Sequence, residues 1–330
     1  MVINMAKSTI VIPNYNGINY IEQCLESIYT GTTTDVAVIV VDNASNDGSV
    51  ALIEQKFPQV RLIRNSENTG FSVAVNQGIE ASDTPYVILL NNDTKVEKTF
   101  VRELERVLES DQEKKIFSVS AKMVSLYDKS KTDDAGDFYC ALGWAFARGK
   151  GKDPALYQKN CNIFAACAGA AIYRRALLSP EQVGLFDKEH FAYFEDIDIG
   201  YRARICGYQN QFAPNAVVYH AGSATSGSRY NEFKTKLASR NSIYLIYKNM
   251  PLLQILINLP FLAVGFLVKT LFFAKKGFGK EYIAGLVNGV KLSRSLEGKS
   301  HKQKFRVRNM GNYIKIQLEL WGNLLRLFIR

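Results

Sequence analysis

The sequence predicts an α/β fold, in which a mostly parallel sheet is flanked by helices and followed by a basic, helical C-terminal extension. Short apolar runs alternate with segments of helical periodicity, and three of these runs end abruptly in clusters of polar residues. Residues 226–330 carry 19 Lys and Arg against 4 Glu, a net charge of +15, whereas the rest of the chain has a net charge of −5. We therefore expect an α/β unit over residues 1–225 and a basic unit over residues 226–330.

Four apolar runs predict the parallel strands of the sheet. The runs are residues 8–12, 36–41, 61–63 and 86–90. Polar loops follow these runs, and apolar residues at helical spacing follow the first three loops, as in residues 20–29. Because the crossovers orient parallel strands the same way, the loops after Ile12, Val41 and Leu90 are expected at one edge of the sheet.

The fourth run is the most informative part of the sequence, because Tyr86–Leu90 ends abruptly in Asn91, Asn92, Asp93 and Thr94. A run this aliphatic predicts a strand buried on both faces, whose carboxyl end lies where open α/β sheets bind ligands. Asp93 is therefore a candidate residue for a metal or phosphate site. The alternative is an Asx turn that only directs the chain away from the strand.

The chain lacks the signatures of several protein classes. No G-x-G-x-x-G follows the first strand and no G-x-x-x-x-G-K-[ST] occurs, which disfavours a dehydrogenase and a P-loop NTPase. The five cysteines include no C-x-x-C pair, so the sequence indicates neither a disulfide framework nor a zinc site. Since the N-terminus shows no secretion signal, we expect a protein of the cytoplasm.

The middle of the chain predicts a ligand pocket. Residues 122–160 are irregular and rich in Gly and aromatic residues, including Trp144, a composition typical of a functional loop. The next apolar run, residues 167–173, consists mostly of small residues, among them Gly169 and Ala170. Such a strand permits the close approach of a ligand.

Three carboxylates lie within four positions, at Glu195, Asp196 and Asp198, beside several aromatic residues. Partial burial among aromatic rings raises the pKa of a carboxyl group towards that of a useful general base. The spacing allows either Asp196 or Asp198 to act as that base. The alternative is a helix whose acidic first turn complements its own dipole.

His220 ends a strand-like run, residues 216–219, and a loop rich in Gly and Ser follows it. A single His is more often a structural residue than a ligand. This one repeats the arrangement around Asp93, however, since an apolar strand again delivers one polar side chain to a loop. One Asp and one His leave most of the coordination sphere of a divalent ion to substrate phosphates, and imidazole makes Mn²⁺ more natural than Mg²⁺.

Five motifs resemble, in order and spacing, those of inverting family 2 glycosyltransferases with the Rossmann-like GT-A fold. These motifs are Ile12–Gly17, Val40–Ser49, Asn68–Phe71, Leu89–Thr94 and Phe194–Asp198. The sequence is most similar to the bacterial rhamnosyltransferase-like branch, which Arg240–Ser242 and the basic tail also resemble.

The resemblance implies roles for individual residues. Pro13 and Tyr15 would border the nucleobase, and Asp42 would form a hydrogen bond with it. The other residues implied in donor binding are Asn68, Gly70, Asn76, Asn91 and Asn92. Asn91 stands where many relatives carry the first Asp of a DXD motif, and an amide is a poor metal ligand.

The catalytic and metal roles follow from the same resemblance. Asp93 and His220 would bind Mn²⁺ or Mg²⁺, and Asp196 would be the catalytic base, with Asp198 in reserve. The residues implied in an acceptor or sugar pocket are Trp144, Gly169, Ala170 and Glu195.

The C-terminal unit contains an uncharged apolar segment, residues 252–268, which is interrupted by Gln254, Asn258 and Pro260. Its 17 residues are at the short limit for a membrane-spanning helix. A buried helical pair at a domain edge is one interpretation. The basic cluster that follows, Lys275–Lys280, favours a helix at the surface of a membrane with anionic lipids.

The last segment of the chain predicts an amphipathic helix. Its apolar face consists of Ile314, Leu318, Trp321, Leu325 and Phe328, and its basic residues are Lys315, Arg326 and Arg330. This face suits a membrane, but it can also pack on the catalytic domain or form a homodimer. The chain carries no nucleic-acid-binding motif, so the basic tract 299–308 favours phospholipid or a lipid diphosphate instead.

These observations together predict a glycosyltransferase peripheral to the inner face of the plasma membrane. It would transfer one sugar from a nucleoside diphosphate donor to a lipid-linked or polysaccharide acceptor, and the resemblance implies L-rhamnose from dTDP-L-rhamnose. A transferase that uses a UDP-hexose or UDP-hexosamine is the near alternative. A nucleotidyltransferase and a lipid-binding scaffold with a degenerate catalytic domain are the alternatives from other classes.

Overall fold

Twelve strands and ten α-helices form the part of the chain that the computed structural model describes, residues 6–222 and 230–328. The strands are β1 (Ser8–Asn14), β2 (Val36–Asp42), β3 (Arg61–Arg64), β4 (Tyr86–Leu90), β5 (Thr94–Val96), β6 (Ile116–Ser125), β7 (Thr132–Asp134), β8 (Asp137–Tyr139), β9 (Ala145–Ala147), β10 (Cys161–Ile163), β11 (Ala170–Arg174) and β12 (Gln209–His220). The helices are α1 (Ile21–Gly31), α2 (Ser49–Lys56), α3 (Gly70–Ala81), α4 (Phe100–Ser110), α5 (Glu195–Ile205), α6 (Glu232–Asn249), α7 (Leu252–Lys275), α8 (Gly279–Arg294), α9 (Leu296–Ser300) and α10 (Met310–Phe328).

Ten of these strands form one sheet, in which neighbouring strands follow the order β10-β12-β6-β11-β4-β1-β2-β3, with β5 beside β12 and β7 beside β6. Strands β4, β1, β2 and β3 are parallel, and β6 and β12 are parallel to each other. Between them, β11 runs antiparallel to both β4 and β6. Six strands thus end at one edge, so the predicted fold class, a mostly parallel sheet flanked by helices, is confirmed.

The pleat of the central strands determines which helices cover each face. In β4, Ile88 and Leu90 pack with α1 and α4 on one face, whereas Val87 and Leu89 pack with α3 and α5 on the other. All four side chains are fully buried. The two-sided burial expected of this strand is therefore present, and its polar end lies beyond the helices.

Residues 122–160 contain more regular structure than the sequence predicts. They include β7 and a separate two-stranded sheet, β8–β9. Strand β12 is also longer than residues 216–219, because it begins at Gln209 and pairs with three other strands of the sheet. Glycines at positive φ, such as Gly136 and Gly143, allow the turns that the irregular composition indicated.

The C-terminal helices pack on the α/β unit. Leu245 of α6 and Ile316 and Leu320 of α10 belong to the same apolar core as the central strands. The expected boundary at residues 225 and 226, and the flexible loop expected after His220, lie in 223–229, outside the described residues. The division into two units stays a prediction, as do the parts played by the Phe328 side chain and Arg330.

Candidate active site

Hydrogen bonds join the ends of three neighbouring strands at the carboxyl edge of the sheet. The Asn92 amide, just after β4, donates to Asn14 Oδ1 over 2.8 Å. The Asn14 amide, at the end of β1, donates in turn to Asp42 Oδ1 over 2.8 Å. These buried side chains hold the three loops together. Sequence reasoning placed Asn14 inside a motif without giving it a role.

The Asp42 carboxylate is almost fully buried and accepts several hydrogen bonds from its own loop. Its oxygens accept from the Ser45 hydroxyl over 2.6 Å and from the Ser45 backbone amide over 2.9 Å. Tyr15 belongs to the neighbouring loop, directly after Asn14, and it remains 38% exposed. The Asp42 carboxylate is thus held by hydrogen bonds, whereas Tyr15 is open to a planar ligand.

Asp93 and His220 meet at the same edge, because the short strand β5 follows Asp93 and pairs antiparallel with the end of β12. His220 Nε2 lies 3.1 Å from Asp93 Oδ1. On the other side of the ring, His220 Nδ1 lies 2.8 Å from Asp133 Oδ2. Asp133, which also pairs with Lys150, was not anticipated from the sequence. It fixes the orientation of the imidazole.

The two carboxylates control the protonation of this histidine. Burial alone would lower the pKa of His220, but the hydrogen bonds and charges of Asp133 and Asp93 raise it to about 9. Burial would likewise raise the pKa of Asp133, yet its contacts with His220 and Lys150 lower it to about 2. The protonated ring and its two carboxylates form a charged triad, and a cation at Nε2 would take the place of the proton there, because only the neutral ring has a lone pair to offer.

This donor set fits a divalent cation. Two ligands at right angles around an ion, with bonds of ~2.1 Å, lie ~3.0 Å apart, which is close to the 3.1 Å between Asp93 Oδ1 and His220 Nε2. A carboxylate and an imidazole are common ligands of such ions, and the imidazole often forms a hydrogen bond with a second carboxylate through its other nitrogen. Asp187, His190 and Asp198 form another cluster of side chains that can bind metal ions. There the Lys248 ammonium lies 2.6 and 2.8 Å from the two carboxylates and already supplies the positive charge.

Asp196 lies in the first turn of α5, after a backbone segment with unusual geometry. Phe191, Tyr193 and Phe194 all have positive φ, between 59° and 72°, which is uncommon for residues with side chains. The Asn241 amide of α6 donates to the carbonyls of His190, Ala192 and Tyr193 over 2.8 to 2.9 Å. Asn241 therefore stabilises the strained approach to Asp196.

Asp196 belongs to a cluster of buried acids that sequence reasoning missed. Asp137, the first residue of β8, forms hydrogen bonds with both Asp196 and Asp134. The side chains of Asp134, Asp137 and Cys167 offer ligand atoms within 4.8 Å of one another. The only sequence signal was the occurrence of Asp134 and Asp137 on either side of Gly136 in an irregular segment.

Burial and mutual repulsion keep protons on this cluster at neutral pH. They raise the pKa of Asp137 well above the ordinary range and that of Asp134 to about 7. Burial also raises the pKa of Asp196, although the Ile197 amide, which donates to it over 2.7 Å, and Asp137 both favour its charged form. Protonated Asp137 thus donates to the Asp196 carboxylate.

The other two predicted carboxylates have different surroundings. Glu195 is buried, and its burial and the charge of Asp196 raise its pKa to about 8. Asp198 is fully buried and paired with Arg202 and Lys248, whose charges outweigh burial and hold its pKa well below the ordinary range. Asp196 is the only one of the three with an appreciably exposed side chain.

Several residues that were predicted to bind the nucleotide-sugar donor form side-chain hydrogen bonds with the protein backbone. The Asn68 side chain accepts from the Gly70 amide over 3.0 Å. Gly70 has a φ of 83°, and a Cβ there would lie 2.5 Å from the Phe191 ring. The Asn76 amide donates to Phe186 O over 2.7 Å and accepts from Phe186 N over 3.0 Å. These contacts fix the loops on the α3 side of the edge.

The predicted pocket residues lie in two places. The Asn91 backbone amide donates to Gly169 O over 2.9 Å, and Ala170 pairs with Leu90, so these small residues flank the polar tetrad. Trp144 instead lies at the tip of the β8–β9 hairpin, where its indole donates to Gly265 O of α7 over 3.1 Å. The roles expected of these residues stay predictions.

The chain matches a known protein family and is similar in sequence to a bacterial glycosyltransferase. The family described as Glycosyl transferase family 2 matches residues 9–179. N-acetylglucosaminyl-diphospho-decaprenol L-rhamnosyltransferase of Mycobacterium tuberculosis is 25% identical over 241 residues, 66% of this chain and 77% of that protein.

Solved structures show the same fold at low sequence identity. GalNAc-T7 with UDP, GalNAc and Mn²⁺ superposes with a TM-score of 0.56 at 16% identity, over 74% of this chain and 48% of that chain. Mannosyltransferase PcManGT of Pyrobaculum calidifontis, with GDP-Man and Mn²⁺, has a TM-score of 0.51 at 18% identity, over 89% of this chain and 82% of that one. These likenesses establish the GT-A fold.

Proposed function

We propose, since the chain belongs to glycosyl transferase family 2 and is a glycosyltransferase, that it transfers one sugar from a nucleoside diphosphate donor with inversion at the anomeric carbon. The observation that carries this proposal is the position of Asp196, a half-buried carboxylate beside a protonated partner. The charge of Asp196 acts on Asp134, which follows Asp133, the residue that contacts His220 of the Asp93–His220 pair. A base and a cation site are the two requirements of this reaction.

The donor binds, in this proposal, along the carboxyl ends of β1, β2 and β4. The nucleobase lies against Pro13 and Tyr15 and forms a hydrogen bond with Asp42, and Asn91 contacts the ribose or the donor sugar. L-rhamnose from dTDP-L-rhamnose is the proposed sugar, supported by the name of the mycobacterial relative. A UDP-hexose or UDP-hexosamine is the alternative, supported by the neighbour crystallised with UDP.

Asp93 and His220 would hold the divalent cation, and Asp133 keeps the imidazole in place through Nδ1. Mn²⁺ or Mg²⁺ would supply positive charge to the diphosphate leaving group when bound there. Mn²⁺ suits the imidazole better, and the two neighbours crystallised with Mn²⁺ support this choice.

Asp196 takes the proton from the acceptor hydroxyl in the chemical step. The hydroxyl oxygen forms a bond to the anomeric carbon while the bond from that carbon to the diphosphate oxygen breaks. The proton moves to Asp196, and the nucleoside diphosphate leaves with the electron pair. Asp198 is a poor alternative, because its charge is already neutralised by Arg202 and Lys248.

A lipid-linked saccharide is the proposed acceptor, with a polysaccharide as the alternative. The mycobacterial relative carries a lipid diphosphate substrate in its name. The C-terminal unit supports a peripheral position on the inner face of the plasma membrane, because its large net positive charge complements anionic lipid. A homodimer through the same helices is the alternative use of their apolar faces.

An Asp196→Asn variant tests the proposal. Release of nucleoside diphosphate from the donor should fall at least about 1000-fold, because no other exposed carboxylate of this segment can replace the base. Donor binding, measured as a thermal shift with Mn²⁺, should persist. Asp128→Asn, at an exposed ion pair on the β6–β7 loop, is the control. Unchanged turnover in Asp196→Asn would overturn the assignment of the base.

A panel of nucleotide sugars identifies the donor and separates the classes of function. Stabilisation by a single nucleotide sugar with Mn²⁺ is expected of the transferase. Release of pyrophosphate from an NTP and a sugar phosphate would indicate a nucleotidyltransferase instead. Binding of lipid without any donor would indicate a scaffold.

A further inference from the structure

Helix α7 presents its polar residues to the protein and its apolar residues to the outside. Its buried residues are Gln254, Asn258, Leu262 and Gly265. Its exposed large apolar residues are Leu252, Leu253, Leu256, Ile257, Leu259, Phe261, Val264, Leu267, Val268, Leu271 and Phe272. Surface helices of soluble proteins have the opposite arrangement, so the outer face of α7 requires an apolar environment.

Specific hydrogen bonds fix the polar stripe of α7 towards the protein. Gln254 Oε1 accepts from the Tyr201 hydroxyl of α5 over 2.7 Å. The amides of Asn258 and Gln317 of α10 donate to each other over 2.7 and 2.8 Å. Because rotation of the helix would leave these buried amides without partners, its orientation is determined.

The contacts continue to the other end of the helix. Trp144 donates to Gly265 O, and a Cβ on Gly265 would lie 2.2 Å from Leu142 O, so the backbones are in close contact there. Further along, Phe273 stacks on Tyr282 of α8 with ring centroids 4.9 Å apart. From Gln254 to Phe273 the helix extends ~28 Å at ~1.5 Å per residue, so it docks along most of its length.

This docking conflicts with a membrane-spanning role. By length and composition α7 can cross a membrane, and only 17% of its most apolar window is buried in the protein. A transverse helix would carry its partners into the hydrocarbon as well. One of these is α5, whose first turn contains Glu195, Asp196 and Asp198, and charged groups in that layer are costly.

We propose that α7 lies in the plane of the membrane, with its outer face immersed in one leaflet of a bilayer that contains anionic lipid. This inference rests on the proposed function. Helix α10, joined to α7 through Gln317, exposes Ile314, Leu318 and Trp321 beside it. The in-plane helix and α10 together form an apolar surface of the kind found in monotopic membrane proteins.

The charges favour lipid over a second copy of the chain. Lys275, Lys276 and Lys280 are exposed where α7 ends and α8 begins, and α10 adds exposed Lys315 and Arg326. A second copy would bring two segments of net charge +15 together, whereas anionic headgroups neutralise them.

The placement also limits the acceptor. Trp144 lies on α7, and the β8 strand of the same hairpin begins at Asp137, the hydrogen-bond partner of Asp196. The five steps along the chain from Asp137 to Leu142 extend at most about 17 Å at ~3.3 Å per residue. The base therefore lies within reach of a headgroup in the leaflet that α7 enters, so the acceptor is an amphipathic, lipid-linked molecule taken from that leaflet.

Labelling of the two ends of α7 tests the in-plane position. Variants with Cys in place of the residue before α7, Pro251→Cys, or the residue after it, Lys276→Cys, are added to sealed vesicles with phosphatidylglycerol and treated with an impermeant maleimide. We expect equal labelling of both ends from outside, after subtraction of the native cysteines in the parent protein. Labelling of one end only after detergent would show that the helix spans the bilayer and would overturn the proposal.

Vesicle flotation tests the outer face itself. Leu256→Glu with Leu267→Glu should weaken binding at least about tenfold without loss of thermal stability, because both side chains are exposed. The matched control is Tyr127→Glu with Leu156→Glu, two exposed apolar residues away from α7. Unchanged flotation in the α7 variant would refute the proposal, and conversion of a dimer to a monomer would identify a second copy as the occupant.

The depth of Trp321 provides a separate measurement. In a Trp144→Phe variant, Trp321 is the remaining tryptophan. Lipids brominated near the headgroup should quench the fluorescence of Trp321 more than lipids brominated deep in the acyl chain do, and the reverse order would contradict an interfacial position. None of these measurements uses donor or acceptor. A protein that binds vesicles but does not turn over the donor would therefore contradict the proposed function alone. A protein that turns over the donor but does not bind vesicles would contradict the placement of α7 alone.

Discussion

At the scale of single residues, the site depends on a few buried polar side chains that hold the reacting ones in place. Asn14 connects the donor loops, Asp133 orients His220, and Asp137 shares a hydrogen bond with Asp196. Each of these residues supports a neighbour that the sequence identified. Supporting residues of this kind often matter almost as much as the groups they orient.

Asp137 is expected to tune the base. Because protonated Asp137 donates to ionised Asp196, Asp137→Ala should raise the pKa of Asp196 and move the acidic limb of kcat/KM about one pH unit higher. Asp137→Asn keeps an N–H donor and should retain most of the wild-type profile. The pH dependence of nucleoside diphosphate release measures both. Identical profiles for the wild type and Asp137→Ala would show that this contact has no such role.

At the scale of elements, the strained segment before α5 depends on α6. Three residues between Phe191 and Phe194 have positive φ, and the Asn241 side chain is bonded to carbonyls throughout this segment. Arg240 adds hydrogen bonds to the carbonyls of Glu189 and His190. This is the physical reason for the Arg240–Ser242 motif, which the sequence suggested only by resemblance.

Removal of this support should affect catalysis more than folding. Asn241→Ala is expected to lower kcat about 10- to 100-fold, because a shift of the segment displaces Asp196, and to destabilise the fold by about 1–3 kcal/mol. Kinetics and hydrogen exchange across residues 190–197 measure the two effects. Asn231→Ala, which removes the side-chain N-cap of α6, is the control. Equal loss of activity in both variants would indicate a general effect on α6.

At the scale of the whole molecule, buried charges join α5 and the segment before it to the C-terminal helices. Lys248 of α6 lies between Asp187 and Asp198, and His301, after α9, pairs with Asp187. These contacts give the buried Lys248, Asp187 and Asp198 partners of opposite charge. They also connect α6, which precedes α7, to α5, the helix that carries the proposed base.

The buried acids should make the protein more stable in mild acid than in base. The folded pKa of Glu195 is about 8 and that of Asp134 about 7, well above their unfolded values near 4. The folded chain therefore binds more protons between about pH 4 and pH 8, and its stability falls as pH rises through that range. We expect the Tm to fall by about 4 °C or more from pH 5.5 to pH 8.5.

Thermal unfolding of a Glu195→Gln variant provides the comparison for this pH dependence. Gln cannot ionise, so the decrease in Tm over the same range should be smaller than in the wild type. An equal decrease in both proteins would assign the effect to other groups.

The sequence alone determined the fold class and most of the sheet edge. Hydrophobic periodicity is a local property of the chain, so the sequence located four apolar strands and the polar loops that follow them. Strands that alternate with helices form a parallel sheet, which brings such loops to one edge. The strand pattern predicted that Asp93 and His220 each follow an apolar strand. The antiparallel pairing of β5 with the end of β12 then brings their side chains together.

Only the tertiary structure decided which residues surround the reacting groups and which way α7 faces. The contacts of Asp133 and Asp137 arise from β7 and β8, short elements in a segment without periodicity. Asp196 and Asp198 are alike in sequence, but packing against Lys248 and Arg202 neutralises one and leaves the other partly exposed. In α7 the amides face inwards because their partners come from α5 and α10, and such long-range pairs leave no trace in local sequence.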